Sequence, residues 1–174
     1  MVSPRSQAVA RSLADRFPRV RVAHGNQAVV DAADVLVLAV RPQVAEEVLA
    51  QLSIPPTTKL VSLIAATSHA TLAHWTGHEA SNIVRAIPLP FVAAGEGVTA
   101  VFPADPQAER LFNAVGTAAI CKSQEEFDLF AVTSALMGTY FGLLERLSDW
   151  LRQQPVPAVH LGKCDQVHGA VLQV

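Results

Sequence analysis

The amino-acid sequence predicts an α/β fold with a parallel sheet, followed by one long helical segment. Short apolar, β-rich runs alternate with amphipathic stretches over roughly the first hundred residues, as in parallel strands joined by crossover helices. Residues 35–40 read V-L-V-L-A-V without a polar interruption, which predicts a central strand buried on both faces. Ser123 and Glu126 form a capping box, and the helix that they open is expected to continue to about Arg152.

Local signals place the remaining elements in order. Ser3 and Pro4 are expected to open the first helix as its N-cap and first residue, and the helix is expected to stop at Phe17 and Pro18. Asn26 is expected to cap a second, short helix. Further strands are predicted at residues 20–23, 59–64, 82–86, 98–102 and 118–121, and further helices at residues 42–52 and 68–75 and from an Asp105 cap to Gly116.

These elements predict an α/β domain at residues 1–121 and a helical segment at residues 122–174. With 51% hydrophobic and 16% charged residues, the chain is too apolar for a disordered protein. A formal charge of −2 and the lack of a Lys/Arg-rich run indicate neither nucleic acid nor an anionic membrane as a partner. The uncharged run at 129–144 has sixteen residues, whereas a membrane span needs about 20, so no transmembrane helix is expected.

Cysteine and histidine usage predicts a cytoplasmic protein without a metal site. Cys121 and Cys164 have no metal-binding or redox spacing and are interpreted as reduced thiols. The first residues contain no apolar core of a secretory signal. The stretch that contains His69, His74 and His78 is interrupted by Gly77 and has no thiol nearby, so the three histidines are interpreted as surface side chains.

Three stretches carry a resemblance to a known family. They are A-D-V-L-V-L-A-V-R-P-Q at 33–43, L-V-S-L-I-A-A at 60–66, and V-R-A-I-P followed by G-E-G-V-T-A between 84 and 100. In order and spacing they resemble pyrroline-5-carboxylate reductases, NAD(P)H-dependent enzymes that make proline by reducing a cyclic imine. The resemblance extends from residue 3 to about 145 and implies a Rossmann-like, doubly wound sheet. It also implies an imino-acid substrate and a homodimer.

The resemblance implies a cofactor site at the strand ends. Ser3, Arg5 and Ser6 would face the adenosine ribose, where a basic residue and hydroxyls suit the 2′-phosphate of NADP, with NAD as the other possibility. The further candidates are Asn26, Ala39, Val40, Arg41, Pro42, Ala65 and Ala66. Capped helix starts and plain strand-end turns explain the same residues equally. Thr67 stands where the family has glycine, so a left-handed turn there would be strained.

The sequence departs from the family pattern in three places. It contains no G-x-G-x-x-G, so the first βα unit with its pyrophosphate-binding turn is expected to be missing and NADPH binding to be weak or absent. Residues 89–92 read L-P-F-V where the family has N-T-P-A. Residues 134–140 read S-A-L-M-G-T-Y where the family has S-G-S-G-P-A-Y, so Ser134 and Tyr140 remain as candidate catalytic residues. A packed helical tyrosine is the competing interpretation for Tyr140.

Three functional hypotheses follow. The first is a pyrroline-5-carboxylate reductase-like oxidoreductase that reduces a cyclic imino acid with NAD(P)H. The second is a non-catalytic remnant that only folds and self-associates, and the third is a paralogous NADP-dependent oxidoreductase with another substrate. The long helix is apolar on two faces, which predicts a homodimer built on it.

Overall fold

The computed structural model describes residues 1–154, and they divide into two compact units that meet in sequence between Ala86 and Ile87. Cys164 and the end of the predicted helical segment, residues 155–174, lie outside the described residues. Each unit contains parallel strands and helices, and the second ends in a long helix. The predicted Rossmann-like α/β class and the long helix are therefore confirmed.

Three parallel strands and four helices make up most of the first unit. The strands are β1 (Val35–Leu38), β2 (Lys59–Ser62) and β3 (Ile83–Pro88), the last of which continues past the unit boundary. The helices are α1 (Gln7–Arg16), α2 (Asn26–Asp31), α3 (Pro42–Ala50) and α4 (His69–Thr76). β2 pairs with β1 on one side and with β3 on the other, with Ser62 opposite both Leu38 and Arg85. Since the pairing is parallel, the carboxyl ends of β1 and β2 lie at one edge.

The core of this unit forms where side chains of the sheet meet α3 and α4. Leu60 and Ile83 of the sheet, with Leu49 of α3 and Leu72 of α4, are each at most 2% exposed. Burying one such side chain contributes about 1.5–3 kcal/mol. β1 departs from the prediction of a strand buried on both faces, because Val37 is 41% exposed. Its side chains alternate between buried and accessible along the strand.

The beginning of the chain also differs from the prediction. Val2 forms an isolated parallel bridge with Val22, so its backbone is extended and the predicted strand at 20–23 is reduced to this bridge. As a result, α1 is capped at Ser6 rather than Ser3. The Ser3 hydroxyl instead donates to Oδ1 of Asn26 over 2.6 Å. Asn26 is the first residue of α2 and Gly25 is the cap, so the predicted Asn26 cap is wrong.

The second unit contains β4 (Gly97–Phe102), α5 (Pro106–Asn113), β5 (Gly116–Ile120) and α6 (Gln124–Arg152). A 3₁₀ turn at Pro90–Ala94 precedes β4, and β4 pairs in parallel with β5. The predicted Asp105 cap is confirmed, since its carboxylate accepts from the amides of Gln107 and Ala108 at 3.0 Å each. Ser123 accepts from the Glu126 amide as predicted, while the Glu126 carboxylate reaches the Lys122 amide rather than that of Ser123.

α6 has two apolar faces, and the second unit covers one of them. Phe127 is 1% exposed and its ring lies 6.4 Å from that of Phe102 on β4. Phe141 on the same side lies 6.4 Å from Phe91. The opposite face, called the outer face here, consists of Val132, Leu136, Tyr140, Leu143 and Trp150, which are 53–68% exposed. By length and composition alone, α6 would be able to cross a membrane. Core helices of soluble proteins share this property but are mostly buried, whereas 6% of the most apolar stretch of α6 is buried.

We expect the Gly116→Ala variant to be destabilised by roughly 2–4 kcal/mol. Gly116 has φ +148°, and a Cβ there would meet the carbonyl oxygen of Gly97 on the paired strand. Gly138→Ala is the control, because a Cβ there meets nothing within 4 Å and alanine favours an α-helix by about 0.5–1 kcal/mol. Urea unfolding of both variants measures the difference. Equal stability of the Gly116→Ala variant and the unmodified chain would contradict this account.

Candidate functional site

A small cavity beside β1 and α3 brings together five of the predicted cofactor residues. Its volume is about 110 Å³. Ser3, Arg5, Asn26, Ala39 and Val40 line it together with the apolar residues Val29, Leu36, Val37, Leu38, Val48, Leu49 and Leu52. Ser3 and Asn26 are 23 positions apart in sequence, so the Val2 bridge and the α2 start are needed to bring them together.

The polar side of this cavity can recognise a sugar and an anion. The Ser3 hydroxyl donates to Asn26, so its remaining lone pairs can accept, and its oxygen is 3.4 Å from the Arg5 amide. The exposed Arg5 side chain supplies a guanidinium, which forms paired hydrogen bonds with phosphate groups. A hydroxyl, an amide side chain and a guanidinium on an apolar base match the polar and apolar parts of a nucleotide.

The remaining predicted cofactor residues lie outside the lining of this cavity. Ser6 caps α1 without a side-chain cap hydrogen bond. Arg41 is the N-cap of α3 and Pro42 is its first residue. Arg41 and Pro42 follow β1 while Ala65 and Ala66 follow β2, and the parallel pairing of these strands places both turns at one edge of the sheet. Ligands of open α/β sheets bind at such an edge.

The turn after β2 holds a left-handed residue one position earlier than expected. Ala66 has φ +51°, whereas the φ of Thr67 is not positive. Thr67 is buried, and its hydroxyl donates to the Ala65 carbonyl over 3.0 Å. This hydrogen bond and the burial hold Thr67 in the turn, so the strain expected at Thr67 lies at Ala66 instead.

A second cavity, called the α6 cavity here, lies within the second unit and measures about 380 Å³. It is lined by Ile87, Leu89, Val98, Ala100, Phe130, Thr133, Ser134 and Met137. Ser134 is therefore placed in a cavity, but Tyr140 is on the outer face, 53% exposed, with its ring edge-on to Phe141 at 5.5 Å. The structure does not bring Ser134 and Tyr140 together. Sequence reasoning missed the apolar lining residues, because nothing local distinguishes them from ordinary core residues.

The cysteine and histidine side chains add no nucleophile or metal site to the described chain. Cys121 is buried, and burial first and the Glu126 charge second raise the pKa of its thiol, so the reactive thiolate is disfavoured. Residues 1–154 contain no group of three or more potential metal ligands.

The prediction that the histidines are surface side chains is wrong for His78, which is 5% exposed. Its ring nitrogens lie 3.1 Å from the Thr76 carbonyl oxygen and 3.0 Å from that of Pro55.

Comparisons with known proteins agree with the fold. Residues 1–66 match the family model described as NADP oxidoreductase, coenzyme F420-dependent. The structure is similar to a 1-pyrroline-5-carboxylate reductase from Streptococcus pyogenes, with a TM-score of 0.73 and 19% identity over 98% of this chain and 66% of that one. It is similar to a Plasmodium falciparum pyrroline carboxylate reductase with NADP bound, with a TM-score of 0.67 and 19% identity over 88% of this chain and 62% of that one.

An Aspergillus terreus reductive aminase in complex with NADPH and ethyl levulinate has a TM-score of 0.63 and 16% identity over 96% of this chain and 62% of its own. The chain thus spans slightly less than two thirds of the length of the solved proteins it matches. At these identities the likeness shows a shared fold. The resemblance to pyrroline-5-carboxylate reductase that the sequence predicted is confirmed at that level.

We expect His78→Ala to destabilise the first unit by about 1–3 kcal/mol, because the ring is buried and its loss removes the hydrogen bond that its N–H donates to the carbonyl oxygen of Pro55 or Thr76. His74→Ala is the matched control, since His74 is exposed and its loss should change stability by less than about 0.5 kcal/mol. Chemical unfolding followed by circular dichroism measures both. An equally small effect of the two substitutions would show that the His78 contacts contribute nothing.

Proposed function

We propose that this chain is an NAD(P)-dependent oxidoreductase that reduces a carbon–nitrogen double bond, of the pyrroline-5-carboxylate reductase type. The observation that carries the proposal is the cavity beside β1, which joins Ser3, Arg5 and Asn26 to the strand-end residues Ala39 and Val40. Its position beside β1 and the similarity to an NADP-bound reductase support a nicotinamide nucleotide as the cofactor.

The residues present fit the 2′-phosphate and ribose of NADP, and the cavity of about 110 Å³ is too small to enclose the whole adenosine half. The Arg5 guanidinium would pair with the 2′-phosphate, and the Ser3 hydroxyl and Asn26 amide would bind the ribose. When bound, a reduced nicotinamide supplies a hydride to the substrate carbon. The printed sequence lacks the glycine-rich turn that binds a pyrophosphate, so we expect weak affinity for the whole dinucleotide.

A cyclic imino acid is the substrate that the family resemblance implies, and reducing its imine requires a proton on nitrogen. Of the two candidate catalytic residues, Ser134 lines the α6 cavity and would orient a substrate there. The Tyr140 hydroxyl would act only on a ligand at the outer face, because the ring is exposed on that side. Residues 89–92 read L-P-F-V where the family has N-T-P-A, and they lead into the 3₁₀ turn before β4. This departure from the family segment favours a paralogous reductase with a different imine as the second candidate function.

Self-association through the outer face of α6 is part of the same proposal. Leu136, Leu143 and Trp150 are each more than half exposed, and burying such side chains contributes about 1.5–3 kcal/mol apiece. A second copy would cover this face symmetrically in a homodimer. A cytoplasmic location is also proposed, because Cys121 is a free thiol, as is usual in reducing compartments.

The cofactor assignment is tested with Arg5→Asp. The unmodified chain should bind NADPH weakly but more tightly than NADH, and the ratio of the two affinities should fall about tenfold in the variant, because a carboxylate repels the 2′-phosphate. Arg11→Asp makes the same charge change on α1, away from the cavity lining, and should leave the ratio unchanged. Quenching of tryptophan fluorescence during titration gives both affinities.

Equal NADPH and NADH affinities in the unmodified chain, or equal effects of the two arginine substitutions, would contradict the role of Arg5. If neither NADPH nor NADH binds, the result would contradict the proposed function and favour the non-catalytic remnant. Turnover of pyrroline-5-carboxylate with NADPH oxidation, followed at the nicotinamide absorbance, would establish the imine-reducing activity directly.

The homodimer is tested with Leu136→Asp. Leu136 is the informative position because it is 64% exposed on the outer face, whereas Phe141 packs against Phe91 within the second unit. We expect the unmodified chain to be a dimer and Leu136→Asp to be a folded monomer in light scattering, since a charge in an apolar interface is costly. Ala135→Asp, at the neighbouring exposed position, should remain dimeric. A monomeric unmodified chain, or its flotation with phosphatidylcholine vesicles, would contradict the dimer.

A further inference from the structure

The α6 cavity differs chemically from a site for an amino-acid carboxylate. Its volume of about 380 Å³ is within the range of small-molecule sites, which is about 300–1,000 Å³. All eight lining residues are uncharged, and six of them are aliphatic, aromatic or thioether side chains. Thr133 and Ser134 supply the only side-chain hydroxyls of this lining.

Both hydroxyl protons are already used within α6. The Ser134 hydroxyl donates to the Ala131 carbonyl over 2.8 Å. The Thr133 hydroxyl lies 3.1 Å from the Leu129 carbonyl oxygen and 3.0 Å from that of Phe130. A hydroxyl has one proton and two lone pairs, so these oxygens can still accept a hydrogen bond but have no second proton to donate. They suit an N–H group and do not suit a carboxylate, which only accepts.

The backbone of α6 offers no substitute donors to the cavity. The helix runs unbroken from Gln124 to Arg152, so the amide groups around Ser134 and Met137 donate to carbonyl groups one turn earlier. A carboxylate beside α6 would gain neither a cationic side chain nor a hydroxyl or amide donor from this wall. The N–H of a protonated imine would instead find the Thr133 and Ser134 oxygens as acceptors, so this wall disfavours the anion more than the cation.

We propose that the α6 cavity is the substrate pocket and that it selects an apolar cyclic imine without a carboxylate, bound in its protonated form with the N–H of this cation facing the Ser134 oxygen. This inference rests on the proposed imine-reducing function and, within it, favours the second candidate, a reductase of a different imine, over a reductase of a cyclic imino acid. In the reaction the imine carbon gains a hydride, the nitrogen keeps its proton, and the product is the saturated amine. The reduced nicotinamide nucleotide loses the two electrons.

Binding of a matched ligand pair to the unmodified chain tests the pocket without cofactor or turnover. The probes are phenyl-substituted 1-pyrroline and the same compound with a carboxylate on the pyrroline ring. Titration calorimetry, supported by saturation-transfer NMR, should give the compound without the carboxylate a Kd at least about 100-fold lower than that of the carboxylate. A carboxylate that binds as tightly as the compound without it would overturn the proposal.

Met137→Lys reverses the predicted selectivity by adding a cation to the cavity wall. We expect it to strengthen carboxylate binding about tenfold or more and to weaken binding of the compound without the carboxylate, whose protonated form the lysine repels. Ala135→Lys carries the same charge at a neighbouring exposed position outside the lining and should change neither affinity. Phe130→Lys is a second cavity variant, and its 41% exposed side chain makes it tolerant of substitution if Met137→Lys fails to fold.

The remaining outcomes are also decisive. Unchanged selectivity in both lysine variants, or binding of neither probe to the unmodified chain, would show that the α6 cavity is not the substrate pocket. Nucleotide binding near Arg5 is measured separately by the NADPH titration. A chain that binds NADPH but neither probe would retain the proposed function and lose this inference, whereas a chain that binds a probe but no nucleotide would lose the proposed function and, with it, the substrate role of the cavity.

Discussion

The in-register parallel pairing of β1 with β2 is the constraint on which the candidate nucleotide site depends. It places the turns that contain Arg41 and Ala66 at the same edge of the sheet. Within the cavity lining, however, the residues that follow β1 are the apolar Ala39 and Val40. The polar groups come from Ser3 and Arg5, which the Val2 bridge to Val22 holds beside α2.

One face of α6 packs within the second unit, and the opposite face stays exposed. Phe127 packs against β4 and fixes the start of the helix, while the Ser123 side chain accepts from the Glu126 amide. Farther along, the same side of the helix forms a wall of the α6 cavity rather than a closed core. The opposite side keeps Leu136 and Leu143 exposed, so the packing within the second unit accounts for one apolar face and leaves the other for association.

The sequence predicted the elements whose signals are local. Asp105 capped its helix as expected because carboxylate and amides are two or three residues apart, and β2 was recognisable as an apolar run. Ser3 and Asn26 were misassigned because each is a good cap by local chemistry, yet the two bond to each other across 23 positions. The α6 cavity gave no local signal, since residues such as Val98 and Met137 look like ordinary core residues until strand and helix are placed side by side.

The substrate inference follows from two positions at which the sequence departs from the family it resembles. In the family segment S-G-S-G-P-A-Y, the fourth and fifth residues are glycine and proline, and here they are Met137 and Gly138. Glycine at 138 keeps the amide that proline lacks, so α6 remains continuous and its amides stay engaged within the helix. Methionine at 137 adds an apolar side chain to the cavity wall. The added methionine increases the apolar surface available to a ring, and the engaged amides and hydroxyl protons of α6 leave an anion without donors, whereas the N–H of a protonated imine still finds the hydroxyl oxygens as acceptors.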